Sequence, residues 1–531
     1  ATLAGNISDS VGGGSLIKRG PGSLMLAGTN RVGGVTTAAE GSLVFSAGSN
    51  ALAGVVVTSG GQMTVTGAAV EFDSGNLVVG SDGNGTLALC GGTLRGKGEL
   101  ILGQAAGSSG TLLLTNGTAT CATLLVGQGG AGSVVQTGGR LGQLPGGGEW
   151  RIGGAASGVG NYVLSDGVLD TGLANFQIGG YGQGVMLQTG GTVSCGQWPV
   201  IGRFVGGIGA YTLAGGIFRQ TTPDHMLVVG ERGSGTFSVR SGGTADLVGG
   251  LYLSGGSGPE GVGVVNLEAG GTLVTPFVRL FNGAHATLNF DGGTLVARGR
   301  GAALPDFVAG LSCARVKAGG AVIDTGDNAV TIPQSLTGDA GADGGLTKRG
   351  AGTLTLAGAN TYGGPTRVEA GTLRLSKQAN AVSAATTFAV AAGAWIDLAG
   401  ASLTVAGLSG SGGVSNGVLA VAGSVAPGGA DAVGTLTLAA SCALKGALLA
   451  DVAPDGSSDR LQVRGALDVS GLALRIQDPG RLTRGKTYLL ATCEPGLLAG
   501  TFLSANIDGA HWRIGYDSAK GEVRLYSLGE N

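Results

Sequence analysis

The sequence predicts an all-β protein that folds as a right-handed single-stranded parallel β-helix, or β-solenoid, with a C-terminal β cap. The prediction rests on a long repeat that occurs twice, a shorter repeat between its two copies, and the composition. The chain has 531 residues, of which 112 are glycine, 43% are hydrophobic and 12% are charged. Average proteins contain about 7% glycine and about 25% charged residues. So much glycine, together with abundant Val, Leu and Thr, favours short strands joined by tight turns.

The long repeat occurs at Lys18–Ser46 and again at Lys348–Ser376, with an offset of 330 residues and no gap. Each copy contains short alternating runs such as Thr353–Leu356, which place leucines on one face and threonines on the other. Glycine pairs end these runs and supply the positive φ angles of turns. No run is long enough to form a stable sheet alone, so a neighbouring repeat must cover its apolar face.

The shorter repeat extends from about Leu77 to Arg298. Its unit reads strand, G-x-G, strand, Gly-Gly, strand, as in LLVGQGGAGSVVQTGGRL and LVVGERGSGTFSVRSGGTA. The Gly-Gly pair recurs at intervals of about 22 to 28 residues. Three short strands in a repeat of this length predict a β-helix, in which each strand pairs in parallel with its equivalent one turn away.

The long repeat resembles the autotransporter-associated β-strand repeat of bacterial autotransporter passenger domains. The second copy fits the pattern K-x-G-x-G-T-L-x-L-x-G-x-N-x-Y-x-G-x-T-x-V-x-x-G-T-L at Lys348, Gly350, Gly352, Thr353, Leu354, Leu356, Gly358, Asn360, Tyr362, Gly364, Thr366, Val368, Gly371, Thr372 and Leu373. The first copy departs from it at Val32, in the tyrosine position, and at Ala38, in the valine position. The resemblance implies a β-helical passenger domain that is secreted or displayed on the surface of a bacterium.

The last hundred residues resemble the C-terminal region of such passenger domains, where an s-D-x-L-x-V motif precedes two strands and a Y-x-L-L strand. The matching residues are Asp459, Leu461, Val463, Leu474, Ile476, Tyr488 and Leu490. This resemblance implies an autochaperone-like cap that closes the β-helix and helps it to fold.

These features predict four segments of the chain. Residues 1–310 form the N-terminal and central turns of the β-helix, and residues 311–345 form an irregular turn or joint with the acidic loop Gly338–Gly345. Residues 346–440 form the second repeat block of the β-helix, and residues 441–531 form the C-terminal cap.

The charge and the cysteines exclude several classes of protein. A formal net charge of −2 gives no long-range attraction to nucleic acid or to an anionic membrane. No uninterrupted apolar run reaches about 18 residues, so we expect no transmembrane helix and no direct insertion of this chain into a membrane. The six cysteines include no C-x-x-C pair, which disfavours a zinc site. Cys121 and Cys195 occupy the same repeat position about three turns apart, too far for a disulfide, so we expect buried thiols.

Two glycine-rich motifs suggest ligand sites that their context argues against. Gly480–Thr487 matches the phosphate-binding pattern G-x-x-x-x-G-K-[ST], but that loop requires a following helix, and the β-rich run TYLLATC follows here. Gly255–Gly263 partly matches a calcium-binding nonapeptide, but Glu260 replaces the aspartate and no tandem copy follows. Asp339 and Asp343 are expected to form turns. We therefore predict no cofactor and no metal.

The sequence gives no arrangement of catalytic residues. A polysaccharide-degrading β-helix enzyme would need two carboxylates at a fixed separation, or a calcium cluster with a basic residue. The acidic residues and histidines in question are isolated along the chain: Asp224 beside His225, Glu231, Asp246, Asp291, His285 and His511. We therefore predict no catalytic, cofactor-binding or metal-binding residues and no enzyme activity, and we keep a polysaccharide-degrading enzyme as a third hypothesis.

The leading functional hypothesis is an extracellular, non-enzymatic structural protein, a surface fibre that resembles autotransporter passengers. The second hypothesis is an adhesin that binds host or matrix glycans. An adhesin predicts polar or aromatic insertions on one side, and the candidates for these are the loop Leu144–Trp150 and the segment Gln197–Pro199.

Assembly of several copies is a further expectation. A β-helix leaves unpaired N–H and C=O groups at each end, and solenoids cap these ends or add another chain. The N-terminal segment with Leu3 and Ile7 is neutral and strand-like. We therefore expect a homo-oligomer or filament formed through the ends, and no nucleic-acid partner.

Overall fold

The computed structural model describes residues 1–9, 12–146, 148–339, 343–376, 382–429 and 433–529. These residues belong to two units. The first comprises residues 1–289 with residues 310–312, and the second comprises residues 290–309 and the chain from residue 313 onward.

The first unit consists of short β-strands joined by tight turns. Its strands are Thr2–Leu3, Leu16–Lys18, Ser23–Leu26, Asn30–Ala38, Ser42–Phe45, Ser49–Val57, Gly61–Val65, Ala69–Phe72, Leu77–Val79, Asn84–Leu89, Thr93–Leu102, Ser109–Leu114, Thr118–Val126, Ala131–Gln143, Trp150–Ile152, Val159–Asp170, Phe176–Ile178, Gln183–Gln188, Thr192–Cys195, Pro199–Ile201, Ile208–Leu213, Gly216–Gln220, Leu227–Val229, Ser234–Val239, Gly243–Leu247, Leu251–Leu253, Val262–Glu268, Thr272–Thr275 and Val278–Leu280. The strand His285–Asp291 begins in this unit.

The strands of the first unit pair in parallel with their equivalents one turn along the chain. Asn84–Leu89, for example, pairs in parallel with Gly61–Val65 on one side and with Ser109–Leu114 on the other. The length of a turn follows the repeat in the sequence, since Phe237 pairs with Val265, 28 residues later. The predicted parallel β-solenoid is confirmed.

The interior of the first unit is a stack of apolar side chains contributed turn by turn. The rings of Tyr211 and Phe237 are 1% and 0% exposed, and their centroids are 5.2 Å apart. Buried glutamines satisfy the polar corners of this core. Gln188 donates from Nε2 to the carbonyl oxygens of Gly191 (3.1 Å) and Ile217 (3.2 Å), and its Oε1 accepts from the Tyr211 hydroxyl.

The six cysteines are free thiols. Cys121 and Cys195 lie in the interior, as expected, and are 1% and 0% exposed. Burial raises the pKa of both thiols, to about 12 for Cys195. Cys90, in contrast, is exposed.

The second unit continues with strands of the same kind. Its strands are Thr294–Ala297, Ala303–Leu304, Val308–Ala309, Cys313–Val316, Ala321–Asp324, Ala329–Ile332, Leu336–Gly338, Leu346–Arg349, Thr353–Leu356, Thr366–Val368, Thr372–Leu375, Thr387–Val390, Trp395–Asp397, Ser402–Gly410, Gly413–Pro427, Thr435–Leu444, Gly446–Ala450, Arg460–Val463, Leu467–Asp468, Leu472–Ile476, Thr487–Thr492, Leu498–Ala499, Ser504–Ala505, Trp512–Asp517 and Glu522–Ser527. A 3₁₀ turn spans Pro479–Arg481. Within the described ranges the chain has no α-helix, and hence no helix that could cross a membrane.

The segment predicted as an irregular turn or joint contains paired strands where it is described. Ala321–Asp324 pairs in parallel with Leu346–Arg349, and Ala329–Ile332 pairs in parallel with Thr353–Leu356. Residues 340–342 of the predicted acidic loop lie outside the described residues. The four segment boundaries inferred from the sequence stay predictions.

The last strands of the second unit change from parallel to antiparallel pairing. Thr487–Thr492 pairs antiparallel with Glu522–Ser527, which in turn pairs antiparallel with Trp512–Asp517. Tyr488, from the predicted Y-x-L-L strand, is fully buried here. The C-terminal β cap is therefore confirmed, and its role in folding stays a prediction.

The aspartate of the s-D-x-L-x-V motif is an internal hydrogen-bond acceptor. Asp459 is 2% exposed, and its carboxylate accepts from the backbone N–H groups of Gly434 (2.7 Å) and Asp451 (2.9 Å). Burial raises the pKa of Asp459 to about 6. The motif thus joins two segments of the chain ahead of the antiparallel strands.

The lysine of each long repeat also has a structural role. Lys348 is 0% exposed, and its Nζ donates to the carbonyl oxygens of Arg349 (2.9 Å), Gly350 (2.6 Å) and Ala370 (2.9 Å). Lys18 donates to the three equivalent carbonyls at 2.6 to 3.0 Å. Burial lowers the pKa of Lys348 to about 8. The lysine therefore ties successive turns of the solenoid together.

Candidate functional site

One strand of each turn in the first unit carries its middle side chain outward. In Trp150–Ile152 the first and last side chains are 0% exposed in the core, and Arg151 between them faces outward, because strand side chains alternate. The strand register places the equivalent residues of successive turns in one row, which we call the outward column: Val56, Val78, Ile101, Leu125, Arg151, Gln177, Val200, Val228, Tyr252 and Arg279.

A glycine in the left-handed region ends most of these strands. Gly202, with a φ of +74°, follows Ile201, and a Cβ at this position would lie 2.4 Å from the carbonyl group of Ser234 in the next turn. Only glycine fits so close an approach at this φ. The turn that it allows brings Arg203 and Phe204 beside the outward column.

Three clefts formed by described residues lie over the outward column, with volumes of about 390, 450 and 300 Å³ in chain order. The column residues that line them are Val56 and Val78 in the first, Ile101, Leu125 and Arg151 in the second, and Val200 and Val228 in the third. Asn76 lines both the first and the second cleft. Glu149 of the second cleft is 3.5 Å from Arg203 of the third. Because neighbouring clefts are joined in this way, we treat them as one lateral groove.

The N-terminal part of the groove, from Val56 to Leu125, is aliphatic at its floor, and we call it the aliphatic segment. Val78, Ile101 and Leu125 form an apolar cluster and are 7%, 4% and 6% exposed. Asn76, beside this cluster, donates from Nδ2 to Glu99 Oε2 at 3.2 Å. Here the outward side chains mainly cover one another.

The C-terminal part of the groove has aromatic side chains on or beside its floor, and we call it the aromatic segment. Among the described residues they are Tyr181, Trp198, Phe204, Tyr252, Phe277 and Phe281. The rings of Tyr181 and Phe204 are stacked, with centroids 4.1 Å apart and planes at 10°. Tyr252 contacts Phe277 and Phe281, at centroid distances of 5.1 and 4.6 Å. Tyr181 is 43% exposed and Phe281 is 39% exposed, so these rings offer apolar surface to a ligand.

Charged side chains in the aromatic segment compensate one another. Arg203 lies between Glu149 and Glu231, at 3.5 Å from each carboxylate, and Glu149 also pairs with Arg151. The guanidinium of Arg203 lies 4.9 Å from the ring centroid of Phe204. Burial lowers the pKa of Arg151 from its usual value. The segment is therefore polar but carries little net charge.

Two buried polar atoms of the groove have no hydrogen-bond partner among the described residues. They are Gln128 Oε1 and Gln177 Nε2. Gln177 is fully buried, and its Oε1 accepts from Arg151 Nε at 3.2 Å. Buried polar atoms normally have partners, so a ligand or water that supplied donors and acceptors here would be stabilised.

The segments singled out from the sequence as adhesin insertions both contribute to the groove. Trp198 lines the third cleft, where its ring contacts His225 edge-on at 5.5 Å, and Glu149 lines the second. Trp150 instead lies in the core and donates from Nε1 to the carbonyl oxygen of Ala122 at 3.3 Å. Gly147, in the same loop, lies outside the described residues.

Sequence reasoning missed most of the aromatic segment. Tyr181, Phe204, Tyr252, Phe277 and Phe281 stand in unremarkable repeats of ordinary length. Tyr252 is a middle strand residue, and the others lie just before or just after such a strand. Counting aromatic residues by their distance from the outward residue of each repeat would have found them.

The other motifs have structural roles. Gly480–Thr487 contains the end of the 3₁₀ turn and the first residue of the next strand, so no helix is available for a phosphate. Glu260, of the calcium-like motif, is 3.3 Å from Arg232. Asp343 accepts from the N–H group of Gly345 (3.0 Å), as expected for a turn-forming residue, and also from those of Gly363 (2.7 Å) and Gly364 (2.8 Å).

Histidines and metal-ligating side chains do not converge within the described ranges. His225 Nδ1 is 3.1 Å from the hydroxyl of Thr222, and the His511 ring pairs with Asp508. No cluster of three or more His, Cys, Asp or Glu side chains in this part of the chain could hold a metal ion.

Comparison with known proteins identifies relatives of parts of the chain. The family model described as "Passenger-associated-transport-repeat" matches residues 16–45 and 346–375. The chain is 38% identical over 123 residues to the "Adhesin BmaC autotransporter" of Brucella suis biovar 1 (strain 1330), a match covering 23% of this chain and 3% of that protein. It is 32% identical over 202 residues to an "Extracellular serine protease" of Serratia marcescens, covering 36% of this chain and 17% of that protein. The matched parts thus span under a fifth of either relative.

A solved structure, that of a hyper-glycosylated fragment of TibA produced with TibC, aligns with 75% of this chain and 92% of its own at 12% identity and a TM-score of 0.18. This TM-score is too low to show a shared fold.

Proposed function

We propose that this chain, a β-solenoid that carries the transport repeats of autotransporter passenger domains, acts as an adhesin by binding a glycan or another surface ligand in its lateral groove. The proposal includes display on, or secretion from, a bacterial cell, as expected for passenger domains. The observation that carries it is the concentration of partly exposed aromatic rings in the aromatic segment. Aromatic residues and arginine dominate the energetics of binding surfaces. The likeness to a protein named as an adhesin supports the proposal.

The chemistry of the groove favours binding over catalysis. Cleavage of a glycosidic bond needs one carboxylic acid that is protonated near neutral pH. Glu149 and Glu231 both lie 3.5 Å from Arg203, and each is held in an ion pair with it. A similar relative is named as a protease, so the proposed absence of enzyme activity also requires a test against protein substrates.

The experiment compares adhesion by the purified chain with adhesion by a variant of the groove. The parent and the triple variant Trp198→Ala, Phe204→Ala, Phe281→Ala are applied to surfaces coated with extracellular-matrix glycoproteins and to a glycan array. Trp395→Ala, which removes a half-buried tryptophan of the second unit, is the matched control. The parent and the control are expected to bind, and the triple variant is expected to lose binding while keeping its circular dichroism spectrum.

Equal binding by the triple variant, or release of product from polysaccharide or casein substrates by the parent, would contradict the proposal. The first result would remove the groove as the binding site. The second would make the chain an enzyme.

A structural surface fibre, assembled end to end, stays a second proposal. The exposure of Leu3 (44%) and Ile17 (51%) near the N-terminus favours it, because exposed apolar side chains promote contact between copies. Light scattering over a range of concentrations tests it. Assembly would be supported if the mass of the parent rises with concentration and the mass of Leu3→Lys is lower than that of the parent at the same concentration. A parent that is a monomer at every concentration would contradict it.

A further inference from the structure

We infer that the ligand of the lateral groove is an extended, uncharged polysaccharide that lies along the outward column. The inference rests on the proposed function, which assigns binding to this groove, and adds the chemical class of the ligand. Three features of the lateral groove lead to it: compensated charge, exposed ring faces and buried polar atoms without partners.

Charge compensation argues against an acidic ligand. A sulfated or uronic-acid polymer needs cations that are free to pair with it. Arg203 is held between Glu149 and Glu231, and Arg232 is 3.3 Å from Glu260. An acidic polymer would have to displace these carboxylates. A neutral polymer leaves the ion pairs intact.

The exposed rings suit the apolar faces of sugar rings. The negative face of an aromatic ring attracts the weakly positive C–H groups on one face of a sugar, for the same electrostatic reason that it attracts a cation. Trp198 lies beside the strand Pro199–Ile201 on the same groove wall or floor, Tyr252 lies two turns later, and Phe281 lies one turn after Tyr252. They therefore offer several contacts along the direction of the solenoid.

The polar atoms without partners could form hydrogen bonds with hydroxyl groups of a ligand. Gln177 Nε2 is a donor, whereas Gln128 Oε1 is an acceptor. A hydroxyl can donate and accept without carrying charge. A polyhydroxylated ligand can thus satisfy both kinds of atom, which a purely apolar ligand cannot do.

The strands under the groove argue against a peptide that binds by adding a strand. Such peptides need a free sheet edge. Phe176–Ile178 is paired with Trp150–Ile152 on one side and with Pro199–Ile201 on the other. The column repeats about every 4.8 Å, the spacing of neighbouring strands. Repeated contacts at this spacing favour a linear polymer over a compact ligand.

The test measures binding of soluble oligosaccharides to the full chain by titration calorimetry at low and high salt. The probes are cello-, chito- and manno-oligosaccharides of increasing length, with heparin oligosaccharides and oligogalacturonate as acidic counterparts. We expect at least one neutral series to bind, with affinity that rises with length and changes less than about twofold with salt, because uncharged contacts are not screened. Tyr252→Ala should weaken this binding about tenfold, the effect of a moderate aromatic hot spot.

Three outcomes would overturn the inference, and they separate it from the proposed function. Salt-sensitive binding of the acidic probes alone would replace the neutral ligand with an acidic one and keep the groove. Groove-dependent adhesion to matrix glycoproteins without any oligosaccharide binding would exclude a glycan and also keep the groove. Oligosaccharide binding that the triple groove variant retains would overturn both the inference and the proposed function. Trp395→Ala is the control in each case.

Discussion

The aliphatic and aromatic segments of the lateral groove share one backbone geometry and differ in what their side chains expose. In both, the middle residue of a short strand faces outward. In the aliphatic segment, Ile101 and Leu125 are only 4% and 6% exposed. In the aromatic segment, the strand residues Val200 and Val228 are equally covered, at 3% and 4% exposed, and the exposed side chains are rings of the adjoining turns, Tyr181 and Phe281, at 43% and 39%.

This difference separates side chains that stabilise the solenoid from side chains that are available to a ligand. Burying apolar surface contributes about 25 cal/mol per Å². The cluster of Val78, Ile101 and Leu125 gains this energy within the chain. The exposed rings of the aromatic segment do not gain most of this free energy within the chain, and a ligand that covers them would bury the same apolar surface. A solenoid can therefore vary its surface chemistry from turn to turn without changing its fold.

The largest effect is expected from removing two aromatic contacts together. Trp198→Ala with Phe281→Ala should weaken binding of the neutral oligosaccharide about a hundredfold, because each hot-spot ring contributes ~1–2 kcal/mol and about 1.4 kcal/mol is tenfold. Titration calorimetry measures the loss. The thermal unfolding midpoint should stay close to that of the parent. A change of less than about twofold in affinity would remove these rings from the binding site.

A substitution in the second unit, Lys348→Met, should lower stability and leave oligosaccharide binding unchanged, which is the opposite of the effect of the two aromatic substitutions. Lys348→Met leaves three buried carbonyl oxygens without their donor, which costs ~1–3 kcal/mol. Denaturant unfolding measures the cost. A loss of oligosaccharide binding in this variant would show that binding follows general stability rather than the groove.

The effect of Lys348 should also depend on pH. Its pKa is about 8 in the folded chain against 10.5 ordinarily, so between these values the unfolded chain holds more protons than the folded chain. The free energy of unfolding contributed by this residue therefore rises as the pH increases through this interval. The stability of the parent relative to Lys348→Met should be greater at about pH 9.5 than at about pH 7. The reverse trend would contradict the lowered pKa.

A smaller loss of stability is expected in the aliphatic segment. Leu125→Ala should lower the free energy of unfolding by ~1–2 kcal/mol, below the usual range for a core leucine, because the cluster lies on the outer face of the sheet. Oligosaccharide affinity should not change. Binding that weakens as much as in Trp198→Ala would extend the binding site into this segment and remove the distinction between the two.

The smallest effect is expected from the central ion pairs. Arg203→Gln removes the cation between Glu149 and Glu231 and should weaken binding of the neutral oligosaccharide about threefold, under 1 kcal/mol. Arg203→Lys, which keeps the charge, should lose less. Comparison of the two affinities at several salt concentrations is the measurement. A gain in affinity for heparin oligosaccharides in Arg203→Gln would oppose the role given to charge compensation.

The fold could be predicted from the sequence, whereas the groove could not. The alternation of Leu354 and Leu356 with threonines and the spacing of the Gly-Gly pairs indicated parallel strands one turn apart, and those pairings are confirmed. The C-terminal change of pattern indicated the cap. These features are local and periodic, so the sequence of each repeat is enough to predict the strands of that repeat.

The aromatic segment escaped prediction because it is not local. Tyr181, Phe204, Tyr252 and Phe281 are separated by roughly one to two repeats each, and none is exceptional within its own repeat. Alternation shows which residues face outward, but it does not show which of the three strand faces will be concave. That depends on the turns, such as the one at Gly202, whose angles set the walls of the groove. Trp198 was found because it belongs to the polar and aromatic segment Gln197–Pro199.

The most direct test of the central claim is amide hydrogen exchange of the full chain with and without a saturating neutral oligosaccharide. Ligand bound along the outward column should slow exchange in residues 197–204, 251–257 and 277–282, which form the walls and floor of the aromatic segment. Exchange in the aliphatic segment and in the C-terminal cap should not change. Protection confined to other parts of the chain, or absent altogether at saturation, would contradict the assignment of binding to the lateral groove.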